Sequence, residues 1–290
     1  MKGTIVKGIA GFYYVKAENS VFQCKARGVF KKDGITPAVG DEVNFEPGQG
    51  EADDGWIVEI LPRKNQFIRP PISNVDCFAI VMAAAQPRPN YAVIDKFLIM
   101  AEKSGTDAVV CLNKIDLDKK KVAREVEERY GSAYPVADLS CENGTGLDEF
   151  RQLIKGKKTA LAGPSGVGKS TLLNRLIPEA GAEVGNVSKK TKRGRHTTRH
   201  CELFDLGDGT MIFDTPGFTS FEILEADEEE LQHLYPELEP FMGKCRYDNC
   251  RHIKEPGCAV RQAAEEGNIP EGRYESYKTL LLEIRGKNRY

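Results

Sequence analysis

Apolar and polar positions alternate through the first 68 or so residues. The alternating segments are GTIVKGIAGFYYVKA (3–17), SVFQCKARGVF (20–30), GDEVNFE (40–46) and GWIVEIL (55–61), with Gly, Asp and Pro residues between them. Alternation of this kind predicts short, half-buried strands, and strands at regular spacing favour a small barrel or a sandwich. The next segment, PRKNQFIRPPISN (62–74), combines prolines with basic residues and is predicted to be a linker.

The pattern changes after the linker. Runs that are apolar without alternation are typical of strands buried on both faces of a parallel sheet. Such runs occur at DCFAIVMAAA (76–85), DAVVCL (107–112) and KKTALAG (157–163), with a further strand predicted near 134–140. Helical spacing occupies the stretches between them, at 91–105, 117–130, 146–154 and 170–176. This strand and helix alternation predicts a parallel sheet covered by helices.

The last third of the chain has three further features. HCELFDLGDGTMIFDTPG (200–217) predicts a hairpin that turns at 207–209. From about residue 225 the sequence is acidic and is predicted to be helical through 241. A segment rich in Cys and His follows, and a final helix is predicted over 271–286.

The composition narrows the class of protein. The net charge of −2 gives no global reason to expect a nucleic-acid partner, so such a partner would need a local patch. The chain has no apolar run near the roughly 20 residues that a membrane span requires, and its N-terminus lacks a signal-peptide core. A cytoplasmic location is therefore expected, and the 8 cysteines then favour metal ligation or reduced thiols over disulfides.

A phosphate loop is predicted at GPSGVGKS (163–170), between a strand and a helix. Glycines allow backbone N–H groups to converge on phosphate oxygens, and the start of the following helix adds a favourable dipole. Lys169 is predicted to reach the β- and γ-phosphates, and Ser170 to bind Mg²⁺. The predicted nucleotide contacts of this loop are Gly163, Pro164, Ser165, Gly166, Val167, Gly168, Lys169, Ser170 and Thr171.

A guanine-reading motif, Asn113-Lys114-Ile115-Asp116, follows the buried strand 107–112 directly. The Asp116 carboxylate can accept hydrogen bonds from N1–H and the 2-amino group of guanine, which adenine does not offer, whereas Asn113 and Lys114 would brace the loop. Ser140-Cys141 comes after the next strand and resembles the element whose backbone N–H meets guanine O6 in GTPases.

Asp214-Thr215-Pro216-Gly217 ends the predicted hairpin and matches the D-x-x-G switch of GTPases. Asp214 would hold Mg²⁺ through water, and the N–H of Gly217 would contact the γ-phosphate. Phe218 stands where many GTPases have a Gln that orients water, and a phenyl ring cannot do so by hydrogen bonding. Slow intrinsic hydrolysis is therefore expected, with a partner or another residue completing the site.

The basic segment SKKTKRGRHTTRH (188–200) contains the candidates for that role. Thr197 or Thr198 could bind Mg²⁺, and His196 could position water. Two alternatives stay open for this segment: an exposed loop in which His196 contacts phosphate or RNA, and a simply solvated basic loop. Its charge suits an RNA backbone.

Cys245-x4-Cys250-x-His252-x5-Cys258 places three thiols and an imidazole within one short region. This ligand set suits tetrahedral Zn²⁺ without an open catalytic position. Reduced surface cysteines are the alternative. Cys24, Cys77, Cys111 and Cys201 lie in apolar, strand-like runs and are predicted to be buried thiols.

In chain order the motifs are N-K-I-D, Ser-Cys, G-P-S-G-V-G-K-S, R-H-T-T, D-T-P-G and the Cys/His cluster. In this order they resemble the circularly permuted GTPases, and closely the ribosome small subunit-dependent GTPase A family. The resemblance implies an OB-fold RNA-binding domain over 1–68, a permuted α/β P-loop GTPase domain over 69–225 and a helical zinc-binding domain over 226–290. His196 and Thr198 match the family's catalytic His and its Mg²⁺-binding Thr.

The resemblance also implies a function. The expected protein is a monomeric GTP hydrolase that yields GDP and phosphate, uses Mg²⁺ and one structural Zn²⁺, and is stimulated by the small (30S) ribosomal subunit. It would bind 16S rRNA as a late maturation factor of that subunit. Two alternatives are an RNA-binding assembly scaffold that uses GTP as a placement signal, and an ATP-dependent P-loop kinase, which Asp116 disfavours.

Overall fold

The computed structural model describes residues 1–28, 30, 34–48, 53–119, 121–177, 201–214 and 226–287. These residues form two compact units. The first comprises Met1–Phe78, Ile154–Leu161 and Lys169–Phe218, and the second comprises Ala79–Leu153, Ala162–Gly168 and Thr219–Tyr290, each within the described ranges.

The first unit contains a closed five-stranded barrel. Its strands are β1 (Lys2–Ile9), β2 (Phe12–Ala17), β3 (Ser20–Ala26), β4 (Glu42–Glu46) and β5 (Gly55–Ile60). Strand β1 pairs with β2 and β4, β3 pairs in parallel with β5, and β4 pairs with β5, which closes the barrel. The inward positions of the alternating pattern form the core, among them Ile5, Val15, Val43 and Ile57. The predicted barrel is confirmed, and it is OB-like.

The predicted linker is wrong for residues 66–73, which form a two-stranded hairpin of β6 (Gln66–Phe67) and β7 (Ile72–Ser73). A buried polar cluster holds this segment. Asp41 accepts hydrogen bonds from Arg63 Nε at 2.7 Å and from Ser73 Oγ at 2.6 Å. Because Asp41 is buried, these bonds replace the water that its carboxylate loses on folding.

The rest of the first unit extends the barrel sheet. Its elements are β11 (Lys158–Ala162), β12 (Glu202–Gly207), β13 (Thr210–Asp214) and helix α4 (Lys169–Leu176). The strands follow the order β11-β13-β12-β1, with β11 parallel to β13 and Lys7 of β1 opposite Glu202 of β12. The predicted hairpin is confirmed: Asp208 and Gly209 both have positive φ, as its tight turn requires.

The second unit contains the strands β8 (Cys77–Ala83), β9 (Asp107–Asn113) and β10 (Val136–Asp138) in the order β10-β9-β8. Strand β10 is parallel to β9, and all seven residues of β8 are buried, as its continuous apolar run predicts. The helices are α1 (Tyr91–Lys103), α2 (Val122–Tyr130) and α3 (Leu147–Leu153), with a 3-10 helix at Ile115–Leu117. Helix α2 begins later than predicted, where the Asp118 carboxylate accepts the N–H groups of Val122 and Ala123.

The C-terminal part of the second unit contains 3-10 helices at Leu231–Leu234 and Glu239–Phe241, then α5 (Ala259–Glu265) and α6 (Glu271–Lys287). The helix predicted over 225–241 is therefore wrong. Pro236 and Pro240 lack the N–H that a continuous helix needs, and the chain forms one short 3-10 helix before Pro236 and another that contains Pro240. The final helix is confirmed as α6. In the part of the chain that the structure describes, no helix combines the length and apolar character needed to span a bilayer.

Candidate nucleotide and metal sites

Asn113 is the last residue of β9, at the carboxyl end of the parallel strands of the second unit. Its side chain is buried and donates from Nδ2 to the carbonyl of Val167 at 2.9 Å. Its Oδ1 accepts the backbone N–H of Cys141 at 3.2 Å. A single amide therefore joins the predicted guanine motif, the phosphate loop and the Ser140-Cys141 loop.

Lys114 braces the phosphate loop from the same side. Its backbone has a φ of 64°, and its ammonium group donates to the carbonyl of Gly166 at 2.9 Å and also to the carbonyl of Gln86. Because the ammonium group binds the carbonyl of Gly166 in the phosphate loop, Lys114 braces this loop, as the motif predicts. Gln86 carries no sequence signal for this role, and it is an addition to the predicted site.

Asp116 is exposed, as a group that must meet a ligand has to be. Its Oδ1 accepts a hydrogen bond of 2.5 Å from Oγ of Ser140, which is itself buried. Ser140 therefore holds the carboxylate that is predicted to read guanine. The backbone N–H of Cys141 donates to Asn113, and the contact between a backbone N–H of the Ser140-Cys141 element and guanine O6 stays a prediction.

The phosphate loop needs glycine at two close approaches. A Cβ at Gly163 would lie 2.1 Å from the carbonyl oxygen of Val81, and a Cβ at Gly168 would lie 2.3 Å from Nδ2 of Asn113. Both glycines also have positive φ, of 132° and 101°. The glycines of the motif thus allow the loop to pack directly against β8 and against the guanine motif. Pro164 is half-buried and Val167 is buried, whereas Ser165 is exposed.

Helix α4 begins at Lys169 in the first unit. Burial lowers the pKa of the Lys169 ammonium group to about 8. The hydroxyl-bearing residues Ser170 and Thr171 are exposed in the first turn of the helix. Hydroxyl and carboxylate oxygens are the ligands that Mg²⁺ prefers, so Ser170 fits its predicted role chemically.

Asp214 is the last residue of β13, and it is half-buried. Since β13 is parallel to β11, the end of β13 lies at the same sheet edge as the strand that leads into the phosphate loop. This is where open α/β sheets bind ligands. Gly217, His196, Thr197 and Thr198 lie outside the described residues, and their roles stay predictions.

The structure brings the four predicted metal ligands together. The ligand atoms of Cys245, Cys250, His252 and Cys258 all lie within 4.8 Å of one another. His252 Nδ1 is 3.5 Å from the sulfur of Cys245 and 3.4 Å from that of Cys258. Burial and the neighbouring thiols raise the pKa of Cys250, and a bound cation would favour its thiolate form. The donor set can hold a metal ion, and three sulfurs with one imidazole suit zinc.

Helix α6 supports the backbone of the metal loop. Tyr274 donates its hydroxyl to the carbonyl of His252 at 2.7 Å, and Tyr277 donates to that of Arg251 at 2.9 Å. Burial acts to raise the pKa of the Glu255 carboxyl, but the N–H groups of Arg251 and Ile253 that it accepts outweigh burial and lower this pKa to about 2. The sequence does not predict these supporting residues, because a Tyr or Glu beside a Cys/His cluster carries no spacing signal.

The remaining predicted thiols are confirmed. Cys24, Cys77, Cys111 and Cys201 are all buried, and none of the four forms a disulfide bond. Burial raises the pKa of Cys24 and of Cys201 to about 11, which keeps both as neutral thiols at ordinary pH.

Comparison with known families decides the assignment. The RsgA GTPase family model matches residues 60–224, and the RsgA N-terminal domain model matches residues 2–57. The chain belongs to the RsgA GTPase family. It is therefore a GTPase, as the order of its motifs predicts. The matched region contains the guanine motif, the phosphate loop and the switch segments.

Full-length relatives support this membership. A protein of Carboxydothermus hydrogenoformans called "Small ribosomal subunit biogenesis GTPase RsgA" is 46% identical over 100% of this chain and 99% of its own length. One of Ruminiclostridium cellulolyticum with the same name is 44% identical, over 99% of this chain and 95% of its own length.

Two solved structures have the same fold. YjeQ from Thermotoga maritima matches with a TM-score of 0.85 and 35% identity, over 98% of each chain. YloQ, described as a circularly permuted GTPase, matches with a TM-score of 0.80 and 36% identity, over 99% of this chain and 95% of its own. These matches confirm the permuted GTPase architecture that the reversed motif order predicts.

Proposed function

We propose that this GTPase acts as a late maturation factor of the small ribosomal subunit, which binds 16S rRNA and is stimulated by the 30S particle. The relatives matched along their whole length have names that place them in small-subunit biogenesis. One structural observation supports GTP binding in this proposal. The hydrogen bond from Asn113 to Val167 joins the guanine motif to the phosphate loop, although the two motifs occur in reversed chain order. We further propose that the protein works in the cytoplasm, where ribosomal subunits are assembled, and that it is a monomer.

Each predicted site residue has a role in this proposal. Asp116 selects guanine, with its carboxylate positioned by Ser140. Lys169 neutralises the β- and γ-phosphates, whose charge would favour its protonated form. Ser170, Thr198 and Asp214 would hold Mg²⁺, which when bound neutralises charge on the phosphate oxygens. Gly217 would contact the γ-phosphate, and His196 would orient the attacking water.

The proposed protein has three domains. Residues 1–68 would form the RNA-binding OB domain, 69–225 the GTPase domain and 226–290 the zinc domain. The closed barrel supports the first of these, and the cluster of Cys245, Cys250, His252 and Cys258 supports the last. Lys244, Arg246 and Lys254 are exposed around this cluster and supply positive charge for an RNA backbone.

GTP hydrolysis measured in parallel with purified 30S, 50S and 70S particles tests the proposal. We expect strong stimulation by 30S particles and weak stimulation by 50S particles. Equal stimulation by all three, or by none, would overturn it. ATP should not displace GTP at comparable concentration, because adenine lacks the N1–H and 2-amino groups that would donate hydrogen bonds to Asp116.

Phe218 favours a second candidate function, an assembly scaffold that uses hydrolysis mainly to reset itself. The D-x-x-G motif of this chain is followed by Phe218, where a water-orienting Gln would speed turnover. A burst of one GTP per protein followed by slow steady-state turnover in the presence of 30S particles would support the scaffold. Sustained fast turnover would support the hydrolase.

A further inference from the structure

Gln232 contacts the imidazole of His252 on the side away from the thiols. His252 Nδ1 faces the sulfurs of Cys245 and Cys258, whereas its Nε2 lies 3.1 Å from Oε1 of Gln232. Gln232 is half-buried in the 3-10 helix Leu231–Leu234, far in sequence from the metal loop. The contact therefore joins two separate segments of the C-terminal region.

The chemistry of a metal-bound imidazole explains why this contact matters. When one ring nitrogen binds a metal, the other carries the proton and needs an acceptor, which fixes both the tautomer and the ring orientation. The amide oxygen of Gln232 is such an acceptor. The other amide atom, Nε2, lies 3.4 Å from Nε2 of His233, so the amide has a separate partner at its donor end.

Two features hold the backbone of His252. The residue has a positive φ of 60°, and Tyr274 binds its carbonyl oxygen. Neither feature sets the rotation of the ring about its side-chain bonds. Gln232 supplies a hydrogen-bond acceptor to the ring nitrogen that lies opposite the thiols, so the ring has a partner at each nitrogen, and the Tyr277 ring lies beside it with the two centroids 6.3 Å apart.

We propose that Gln232 is a positioning residue of the metal site, which holds His252 as the Nε2–H tautomer with Nδ1 directed at the metal. This inference rests on the metal-binding part of the proposed function. Gln232 lies in the chain segment that follows the D-x-x-G switch, so its contact with His252 links this segment to the metal loop. Glu229 of the same segment makes a second link, since it pairs with Arg251 of the metal loop at 2.5 Å.

Zinc affinity of the full chain, measured by competition with a chromophoric chelator, tests the proposal. Gln232→Leu keeps the approximate volume but removes the acceptor, so we expect zinc affinity to fall about 10- to 100-fold. Gln232→Glu restores an acceptor oxygen and should bind zinc more tightly than Gln232→Leu. Gln262→Leu, which replaces a glutamine on α5, is the matched control and should leave the affinity unchanged.

Cobalt(II) substitution separates positioning from general stability. Loss of the imidazole ligand changes the ligand-field absorption of a Cys₃His cobalt site, so Gln232→Leu should alter this spectrum and Gln232→Glu should restore it. Gln232→Asn, which is one carbon shorter, should weaken zinc binding even if Gln232→Leu fails to fold. Wild-type affinity and spectrum in the Leu or Asn variant would overturn the role of Gln232. A wild-type chain without zinc affinity would instead overturn the metal site itself.

Discussion

Lys169 lies at the start of helix α4, where burial lowers the pKa of its ammonium group to about 8. An exposed lysine keeps its charge to about pH 10.4. In the nucleotide-free protein this group therefore loses its proton within an accessible pH range. A bound triphosphate favours the charged form, so binding above pH 8 has to include proton uptake.

GTP affinity should consequently fall as pH rises. With a pKa of about 8, Lys169 is mostly protonated at pH 7 and roughly one-tenth protonated at pH 9, so the dissociation constant should increase about tenfold across this range. Fluorescence titration with a labelled GTP analogue measures it. In Lys169→Arg the guanidinium stays charged, and its affinity should be nearly independent of pH. A flat wild-type profile between about pH 7 and pH 9 would contradict the prediction.

At the residue scale, the sequence predicts side chains with motif spacing but not their backbone partners. Asn113, Lys114 and Asp116 are predicted from their order and from the strand before them. The carbonyls of Gln86 and Val167 that receive hydrogen bonds from this motif cannot be predicted, because every residue has a carbonyl. Gln232 escapes prediction for a similar reason, since a glutamine in an acidic stretch has no ligand spacing of its own.

At the scale of elements, a buried arginine joins helix α6 to helix α1. Arg273 donates from Nη1 to Asp95 at 2.6 Å and from Nε to Glu237 at 2.7 Å, and all three side chains are buried. Its guanidinium carbon lies 4.4 Å from the centre of the Tyr235 ring. Asp95 and Glu237 share the Arg273 cation, and Asp95 has a second ion pair, with Arg129. The C-terminal helix is therefore held by charge as well as by apolar packing to residues 79–153 of the second unit, here called the guanine-reading half.

Arg273→Met should destabilise the protein by about 3–5 kcal/mol, because it leaves two buried carboxylates without their shared cation. Urea unfolding measures this loss. Lys278→Met on the same helix is the control, since its i,i+3 pair with Glu275 is partly exposed and contributes at most about 1 kcal/mol. Adding Glu237→Gln to Arg273→Met should recover part of the loss. Equal stability of the Arg273→Met and Lys278→Met variants would refute the role of the buried cluster.

The elements themselves are predicted correctly where periodicity is long and unbroken. The barrel strands, β8, α1 and α6 follow their patterns closely. The predicted helix over 225–241 fails because Pro236 and Pro240 outweigh the acidic helical composition around them. The linker prediction fails because the polar residues Arg63 and Ser73 are satisfied by Asp41, a long-range contact that local composition does not show.

At the scale of the molecule, the two units distribute the predicted nucleotide contacts in a way that the motif order alone does not show. In the first unit, the hairpin that ends at Asp214 is an extension of the barrel sheet, and Lys7 of the barrel pairs with Glu202 of the hairpin at 3.0 Å. In the second unit, the metal-binding region shares a hydrophobic core with Ile99 of α1, on the guanine-reading half. Strand β13, which ends at Asp214 of the D-x-x-G motif, thus belongs to the extended barrel sheet, although the chain after it leads towards the metal ligands.

This distribution predicts that metal loss and nucleotide binding are separable. Cys250→Ser should release zinc and loosen the core around the metal loop. The hydrogen bonds that hold Asn113, Lys114 and Asp116 should remain, because their partners lie in residues 86–167. Hydrogen exchange should therefore increase in α5 and α6, while GTP affinity stays within about threefold of wild type.

Cys24→Ser supplies the matched control for that experiment. Cys24 is a buried thiol in the barrel, and its replacement should leave zinc content and exchange in α5 and α6 unchanged. If Cys250→Ser abolishes GTP binding as well, the division of the chain near residue 225 is wrong. The metal would then support the guanine-reading half directly, through the core that Ile99 shares with the C-terminal helices. In that case, a substitution at Ile99 should reproduce the loss of GTP binding without any loss of zinc.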